Sequence, residues 1–215
     1  MIKAVIFDLD GVIVSTDENH FRAWKQLADD EGIPFTRQDN ERLRGVSRMA
    51  SLEIVLENSA TKYSHAEKVE MTERKNKYYR ESLKGLSPKD ILSGVLVVLE
   101  ELRKRGVKVA IGSSSKNAKT ILQAVGLGDA FDIVVDGTHI SQSKPDPEVF
   151  AKAGIQLGIP PEQCLVVEDA EVGVDAGLAA GMPVLAVGSA AAHTGAVLAA
   201  VSLEKITVDE MLRGR

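Results

Sequence analysis

Ala4-Val5-Ile6-Phe7-Asp8-Leu9-Asp10-Gly11-Val12 is the stretch that decides the fold: four apolar residues, an acid, an apolar residue, a second acid and a glycine. A short apolar run with no polar alternation is what a strand buried on both faces requires. Ligands bind parallel sheets beyond the carboxyl ends of the strands, so Asp8 and Asp10 stand where a site would form. Side chains two apart on an extended chain share a face, and a turn at Asp10-Gly11 can return the second carboxylate to the same pocket. One acid can then attack while the other shuttles a proton. Taken alone, Asp-x-Asp-Gly equally describes a turn or Asx motif. The spacing argues against a calcium loop, because Gly11 comes too early.

Similar runs recur at Val107 to Ile111, Phe131 to Val135, Leu165 to Val167 and Val184 to Val187. Helical patterns closed by glycine lie between them. One ends near Arg105-Gly106, one runs from Ser115 to Gly126, one from Asp146-Pro147 to Gly158, and one from Asp169 or Ala170 to Gly181. This alternation predicts an α/β fold: a doubly wound, mainly parallel, Rossmann-like sheet with right-handed crossovers. Between the first strand and Val107 about a hundred residues carry no strand signal, far beyond a normal crossover. The spacing predicts helices there instead: Asp17 to Glu31 capped by Thr16, a second from Ser47 with Leu52, Val55 and Leu56 on one stripe, and a third opened by a Ser64/Glu67 capping box. The chain returns near Leu83 to Pro88, and Ile91 to Arg105 resumes the main domain. Residues 1–14 and 88–215 are thus expected to form an α/β core and 15–87 an inserted α-helical domain.

Three further strand ends carry chemistry. Ile111-Gly112-Ser113-Ser114-Ser115-Lys116-Asn117 places hydroxyls and backbone amides at a helix start, an anion site or a plain helix cap. Lys144, before Pro145-Asp146-Pro147, is either a solvated loop lysine or a cation that offsets charge growing on a transferring phosphoryl group. Glu168-Asp169 ends the apolar run Leu165-Val166-Val167; Asp169 could cap the next helix, or share a hard cation with Asp8. Four chemical loops at four successive strand ends favour a phosphoryl-transfer enzyme over a binding or structural domain.

The 215 residues are 44% hydrophobic with a formal net charge of -5, which argues against nucleic-acid or anionic-membrane partners and for a small-molecule one. Tyr78 and Tyr79 lie among basic residues, but Glu70, Glu73 and Glu81 dilute that charge. The lone Cys164 reads as a small buried hydrophobe. No apolar run is long enough to cross a membrane and no signal peptide is evident, so the expected address is cytoplasmic and the expected state a monomer.

With these residues in place the chain resembles the haloacid dehalogenase superfamily, whose four motifs match Asp8 to Val12, Ser113, Lys144 and Glu168-Asp169, and whose cap the helical insert resembles. Within the insert, His20-Phe21-Arg22-Ala23-Trp24, Leu43-Arg44-Gly45-Val46-Ser47-Arg48 and Arg74-Lys75-Asn76 resemble the branch that interconverts β-glucose 1-phosphate and glucose 6-phosphate through a bisphosphate. That resemblance implies catalytic roles for Asp8, Asp10, Ser113 and Lys144. It implies Mg2+ held by Asp8, the Asp10 backbone carbonyl, Glu168 and Asp169. Arg48 would grip the remote phosphate, Gly45, Val46 and Ser51 shape the sugar pocket, Lys75 contact the sugar or its phosphate, and His20 support Asp10. Trp24, Ser47, Ser114, Ser115 and Asn117 would complete the substrate site. On the residues alone, His20 and Trp24 could merely pack and Lys75 could be solvated. A sugar-phosphate phosphatase with the same core residues, and a catalytically silent sugar-phosphate binder, are the alternative readings. The loop Gly188 to Gly195 with His193 is given no role.

Overall fold

A computed structural model describes residues 1–213 as a six-stranded, all-parallel sheet flanked by helices, with a helical insert after the first strand. In chain order the elements are β1 (Ala4–Phe7), α1 (Asp17–Asp30), α2 (Arg37–Glu41), α3 (Arg48–Leu56), α4 (His65–Ser82), α5 (Val95–Lys104), β2 (Lys108–Gly112), α6 (Ala118–Ala124), β3 (Ile133–Val135), α7 (Glu148–Leu157), β4 (Cys164–Glu168), α8 (Glu171–Ala179), β5 (Val184–Val187), β6 (Leu198–Ala200) and α9 (Val208–Arg213).

The period of two along each strand divides the core into two layers. Val5 and Phe7 of β1, Val109 and Ile111 of β2, Leu165 and Val167 of β4, and Leu185 and Val187 of β5 face one layer. Ala4, Ile6, Ala110, Cys164, Val166, Val184 and Ala186 face the other. Both layers are apolar, which is why none of these strands alternates with polar residues. The sheet order β3-β2-β1-β4-β5-β6 puts β1 at the centre, where the chain turns from one half of the sheet to the other. Such a switch point leaves a crevice beyond the carboxyl ends of β1 and β4.

The insert has its own apolar cluster, formed by Trp24, Leu27 and Ala28 of α1, Leu52 and Val55 of α3, Met71 of α4, and Ile33, Phe35 and Leu43 of the loops. Ser47 and Ser64 cap α3 and α4 as expected, with side-chain oxygens accepting from Ala50 N and Glu67 N. The two connections to the sheet layer run side by side: Val14 pairs with Ile91, and Leu92 N donates to Ile13 O at 3.0 Å.

Several expectations need correction. Thr16 precedes α1 but its side chain makes no cap hydrogen bond; its hydroxyl is turned to donate to Asp10 Oδ1. The helix expected from Ser115 begins at Ala118, since Ser113 and Ser115 spend their hydroxyls on the loop amides of Ser115 and Asn117. The helix expected from Ile91 begins at Val95, because Ile91 is paired with Val14 and Gly94 takes φ 87°. The edge strand β6 and the short α2 were not foreseen; β6 is three residues long and reads as a loop.

Gly94 is also a tight spot, where a Cβ would lie 2.5 Å from Glu204 N and 2.7 Å from Leu203 C. Gly94→Ala is therefore expected to lower the urea midpoint, with a cost of roughly 1–3 kcal/mol from left-handed strain plus a backbone clash that no rotamer relieves.

Candidate active site

The carboxyl ends of the central strands and the inner face of the insert enclose a cavity of about 670 Å³. Every residue given a site role above lines it: Asp8, Asp10, Ser113, Ser114, Ser115, Asn117, Lys144, Glu168 and Asp169 from the sheet side, and His20, Trp24, Gly45, Val46, Ser47, Arg48, Ser51 and Lys75 from the insert.

Asp8 directly follows β1 and is held by Asp8 N donating to Val167 O at 2.9 Å. The chain then turns on itself, with Ile13 N and Val14 N both donating to Leu9 O, and Asp10 comes back to the cavity. Gly11 permits this with φ 87°; a Cβ there would fall 2.1 Å from the Asp169 carboxylate. Asp8 and Asp10 are both buried or nearly so, and burial pushes their carboxyls up, to about 7 and about 6 respectively.

Lys144 is the hub of the sheet side. Its ammonium donates to Asp8 Oδ1 at 2.5 Å and to Glu168 Oε2 at 2.7 Å, with the Phe150 ring beneath it at 4.7 Å. Burial alone would lower its pKa, but the two carboxylates more than reverse that and hold it charged. The loop that delivers it is pinned by Glu148, which accepts from Ser141 N, Ser141 Oγ and Gln142 N and pairs with Lys152. These donors, Lys152 first, hold the Glu148 carboxyl down at about 2.

Asp8, Glu168 and Asp169 each offer an oxygen within 4.8 Å of the others. Two like charges at that separation repel by roughly 3 kcal/mol at the effective dielectric of protein sites, and burial adds to the cost. Asp169 accordingly sits up at about 8, chiefly through burial and then Glu168 and Asp8. Ionised, three carboxylates against one ammonium leave two net negative charges. The site is therefore matched in charge and in hard oxygen donors to a divalent metal ion.

The serine loop lines the cavity and is held in shape by its own hydrogen bonds. Ser113 N donates to Val135 O, Ser113 Oγ accepts from Ser115 N, and Ser115 Oγ accepts from Asn117 N. Ser114 Oγ is buried without a protein partner, an unspent hydroxyl in the cavity wall.

On the insert side, Lys75 is buried among the rings of Trp24 and Tyr79 and 3.0 Å from His20 Nδ1. Burial and the nearby Arg48 push the Lys75 ammonium well down, and burial with Lys75 does the same to His20. Here Asp10 accepts from the Thr16 hydroxyl, and His20 Nδ1 lies at hydrogen-bond distance from Lys75. Arg48 donates to Asn76 Oδ1 at 2.9 Å.

Arg44 and Asp17 were missed. The Arg44 guanidinium spans Asp17 and Asp169, the latter at 3.3 Å, and so ties the insert to the acidic cluster. Nothing local signals a partner 125 positions away. Tyr79, weighed only as part of a basic aromatic patch, is buried in the cavity wall. His193 pairs with Asp175 at 3.2 Å and does not line the cavity.

An aspartate-bearing strand, a serine loop, a lysine and a second acidic strand end converging on one cavity under a helical insert define a phosphoryl-transfer site of known kind. The chain belongs to the haloacid dehalogenase-like hydrolase family, whose model matches residues 2–181. It is 42% identical to the β-phosphoglucomutase of Bacillus subtilis strain 168 over 97% of this chain and 93% of that protein. It is 32% identical to a phosphorylated carbohydrates phosphatase of Thermotoga maritima over 84% of this chain and 82% of that one. The β-phosphoglucomutase structure from Clostridium difficile superposes with a TM-score of 0.93 at 36% identity, covering 100% of this chain and 97% of that chain.

The raised carboxyls fix the sign of a stability effect. Asp8, Asp10 and Asp169 bind protons more tightly folded than unfolded, so between about pH 4 and pH 8 the metal-free protein should lose stability as pH rises. A millimolar divalent cation should raise the melting temperature, by more at pH 8 than at pH 6. An equal shift at both pH values, read by scanning calorimetry, would contradict the charge assignment.

Proposed function

We propose that the chain is a β-phosphoglucomutase, which interconverts β-glucose 1-phosphate and glucose 6-phosphate through an aspartyl-phosphate on Asp8 and a β-glucose 1,6-bisphosphate intermediate. The observation that carries this reading is the presence of two phosphate-competent ends in one cavity. Asp8, Lys144 and Ser113 to Ser115 form one candidate grip, and Arg48 of the insert, linked through Asn76 to Asn117, forms the other. A mutase must hold a phosphate at each end of the sugar; a hydrolase needs only one.

In the first half-reaction the phosphorus–oxygen bond to Asp8 breaks as a bond forms to a sugar hydroxyl oxygen. The hydroxyl proton passes to Asp10. The bisphosphate then turns over in the cavity, so that the phosphate formerly under Arg48 faces Asp8. Asp8 takes that phosphate, and Asp10 returns its proton to the leaving sugar oxygen. Lys144, placed against Asp8 Oδ1, offsets the charge that accumulates on the transferring group. Gly45, Val46, Ser47 and Ser51, with Trp24, form the sugar wall, and Ser113, Ser114 and Ser115 cradle the transferring phosphate. His20 and Lys75 complete the wall beside Asp10.

The cofactor we assign is Mg2+, held by Asp8, Asp169, Glu168 and the Asp10 backbone carbonyl. It supplies Lewis-acid neutralisation of phosphate oxygens when bound. Residues 15–87 act as a cap on the core formed by 1–14 and 88–215. Its hinges are the paired connections at Val14 and Ile91, and its closure keeps water from the phosphoenzyme. The partner is a small sugar phosphate, and we take the protein as a cytoplasmic monomer. Among the described residues no helix is long and apolar enough to cross a membrane.

A phosphatase would share all the core residues and differ in the fate of the phosphoenzyme. Incubation with β-glucose 1-phosphate, Mg2+ and a trace of the bisphosphate, followed by phosphorus NMR, separates the two. Glucose 6-phosphate is expected; inorganic phosphate as the main product would replace this reading with hydrolysis, and the α anomer should be inert. Asp8→Asn, checked by mass spectrometry for deamidation, should abolish turnover. Asp10→Asn should slow phosphoryl transfer to the sugar by on the order of a hundredfold or more.

Because Asp10 must start as carboxylate and its pKa is raised to about 6, kcat/KM should fall as pH drops below about 6. That limb should be missing from Asp10→Asn. Its persistence in the variant would assign the titration to another group.

A further inference from the structure

The two groups assigned above to the remote phosphate come from different parts of the chain, Arg48 from the start of α3 in the insert and Asn117 from the loop before α6. One atom holds both. Asn76 Oδ1, on α4, accepts from Arg48 Nη2 at 2.9 Å and from Asn117 Nδ2 at 3.1 Å. An amide oxygen has two lone pairs, and here both are used on groups that face the cavity. Asn76 itself stands behind them and does not line the cavity.

We propose that Asn76 is a positioning residue that assembles the remote-phosphate grip, joining the cap arginine to the core asparagine through a single shared acceptor. The proposal rests on the mutase reading but assigns something that reading leaves open: what brings Arg48 into register with the sheet-side loop. The bond to Asn117 crosses from α4 to the core, so it forms only with the cap seated on the serine loop. Cap closure and completion of the grip are then the same event.

The chemistry of the acceptor matters as well. A carboxylate at position 76 would pair with Arg48 and compete with an incoming phosphate dianion. A neutral amide holds the guanidinium without neutralising it, leaving its charge for the ligand. An unbound arginine side chain has wide rotamer freedom, and fixing it beforehand removes an ordering cost from substrate binding.

The test compares two substrates in the full-length protein with Mg2+. β-Glucose 1-phosphate, primed with a trace of the bisphosphate, places its phosphate under Arg48 and Asn117 while a sugar hydroxyl takes the phosphoryl group from Asp8; acetyl phosphate donates its single phosphoryl group to Asp8 and has nothing for the remote end. For each, kcat/KM is measured as consumption of that substrate, whichever product forms. In Asn76→Ala, and in Asn76→Leu, which keeps bulk but has no acceptor, the ratio of sugar phosphate to acetyl phosphate should fall about tenfold, the loss expected when about 1.4 kcal/mol of hydrogen bonding is removed. The loss should appear mainly in KM.

Asn76→Asp should lose the ratio too, through pairing with Arg48. A ratio within twofold of wild type in both neutral variants, or an equal loss for both substrates, overturns the assignment and leaves Asn76 a structural residue. Asn76 is half-buried, and melting curves check that each variant is folded. Failure of the wild type to consume acetyl phosphate or the primed β-glucose 1-phosphate would count against the Asp8 reading itself. Normal wild-type turnover with an unchanged variant ratio counts against Asn76 alone.

Discussion

One buried ammonium organises the centre of this molecule. Lys144 lies between Asp8 and Glu168 with almost no solvent contact, and both pairs are within hydrogen-bond distance. Removing either acid would strand a buried charge, while removing the lysine would leave three carboxylates facing one another. The geometry therefore demands that three strand ends, after β1, β3 and β4, meet within a few ångströms. Parallel strands in the order β2-β1-β4 supply that convergence, and the Glu148 anchor holds the longest of the loops in place.

The same excess of negative charge explains why the sheet side is a site and not merely a core. Asp8 and Asp169 are held above the usual carboxylate range by burial that no protein cation fully offsets. Arg44 reaches Asp169 from the insert but divides itself among Asp17, Glu41 and Asp169, and it is partly exposed. A group that satisfies these oxygens must come from outside the chain. That is a stability cost accepted at a functional position, as the raised Asp10 also is.

The insert contributes a contrasting environment. Lys75, His20, Trp24 and Tyr79 form a tightly buried cluster in which cations are disfavoured, while Arg48 nearby keeps a partly exposed guanidinium. Apolar packing of Ala23, Tyr79 and Leu83 on Leu9, Val12 and Ile13 joins this side to the sheet layer, together with the hydrogen bonds from Arg44 to Asp169 and from Asn117 to Asn76. The paired connections at Val14 and Ile91 carry the chain between the insert and the sheet layer.

Much of this was legible in the order of residues. Apolar runs ending in acids, serines or lysine announce buried parallel strands and their functional ends, because a strand covered on both faces tolerates polar side chains only where it stops. Ser47 and Ser64 announced helix starts because a cap is a contact within four residues. What the chain order could not reveal was any partner chosen across space. Thr16 looked like a cap and serves Asp10; β6 is too short to read; Arg44, Asn76 and Tyr79 gain their partners only when α3 and α4 settle on the sheet. Local patterns are set by bonds between near neighbours and can be read from the string. The electrostatic balance at the strand ends depends on burial and on residues more than a hundred positions apart, and only the folded chain decides it.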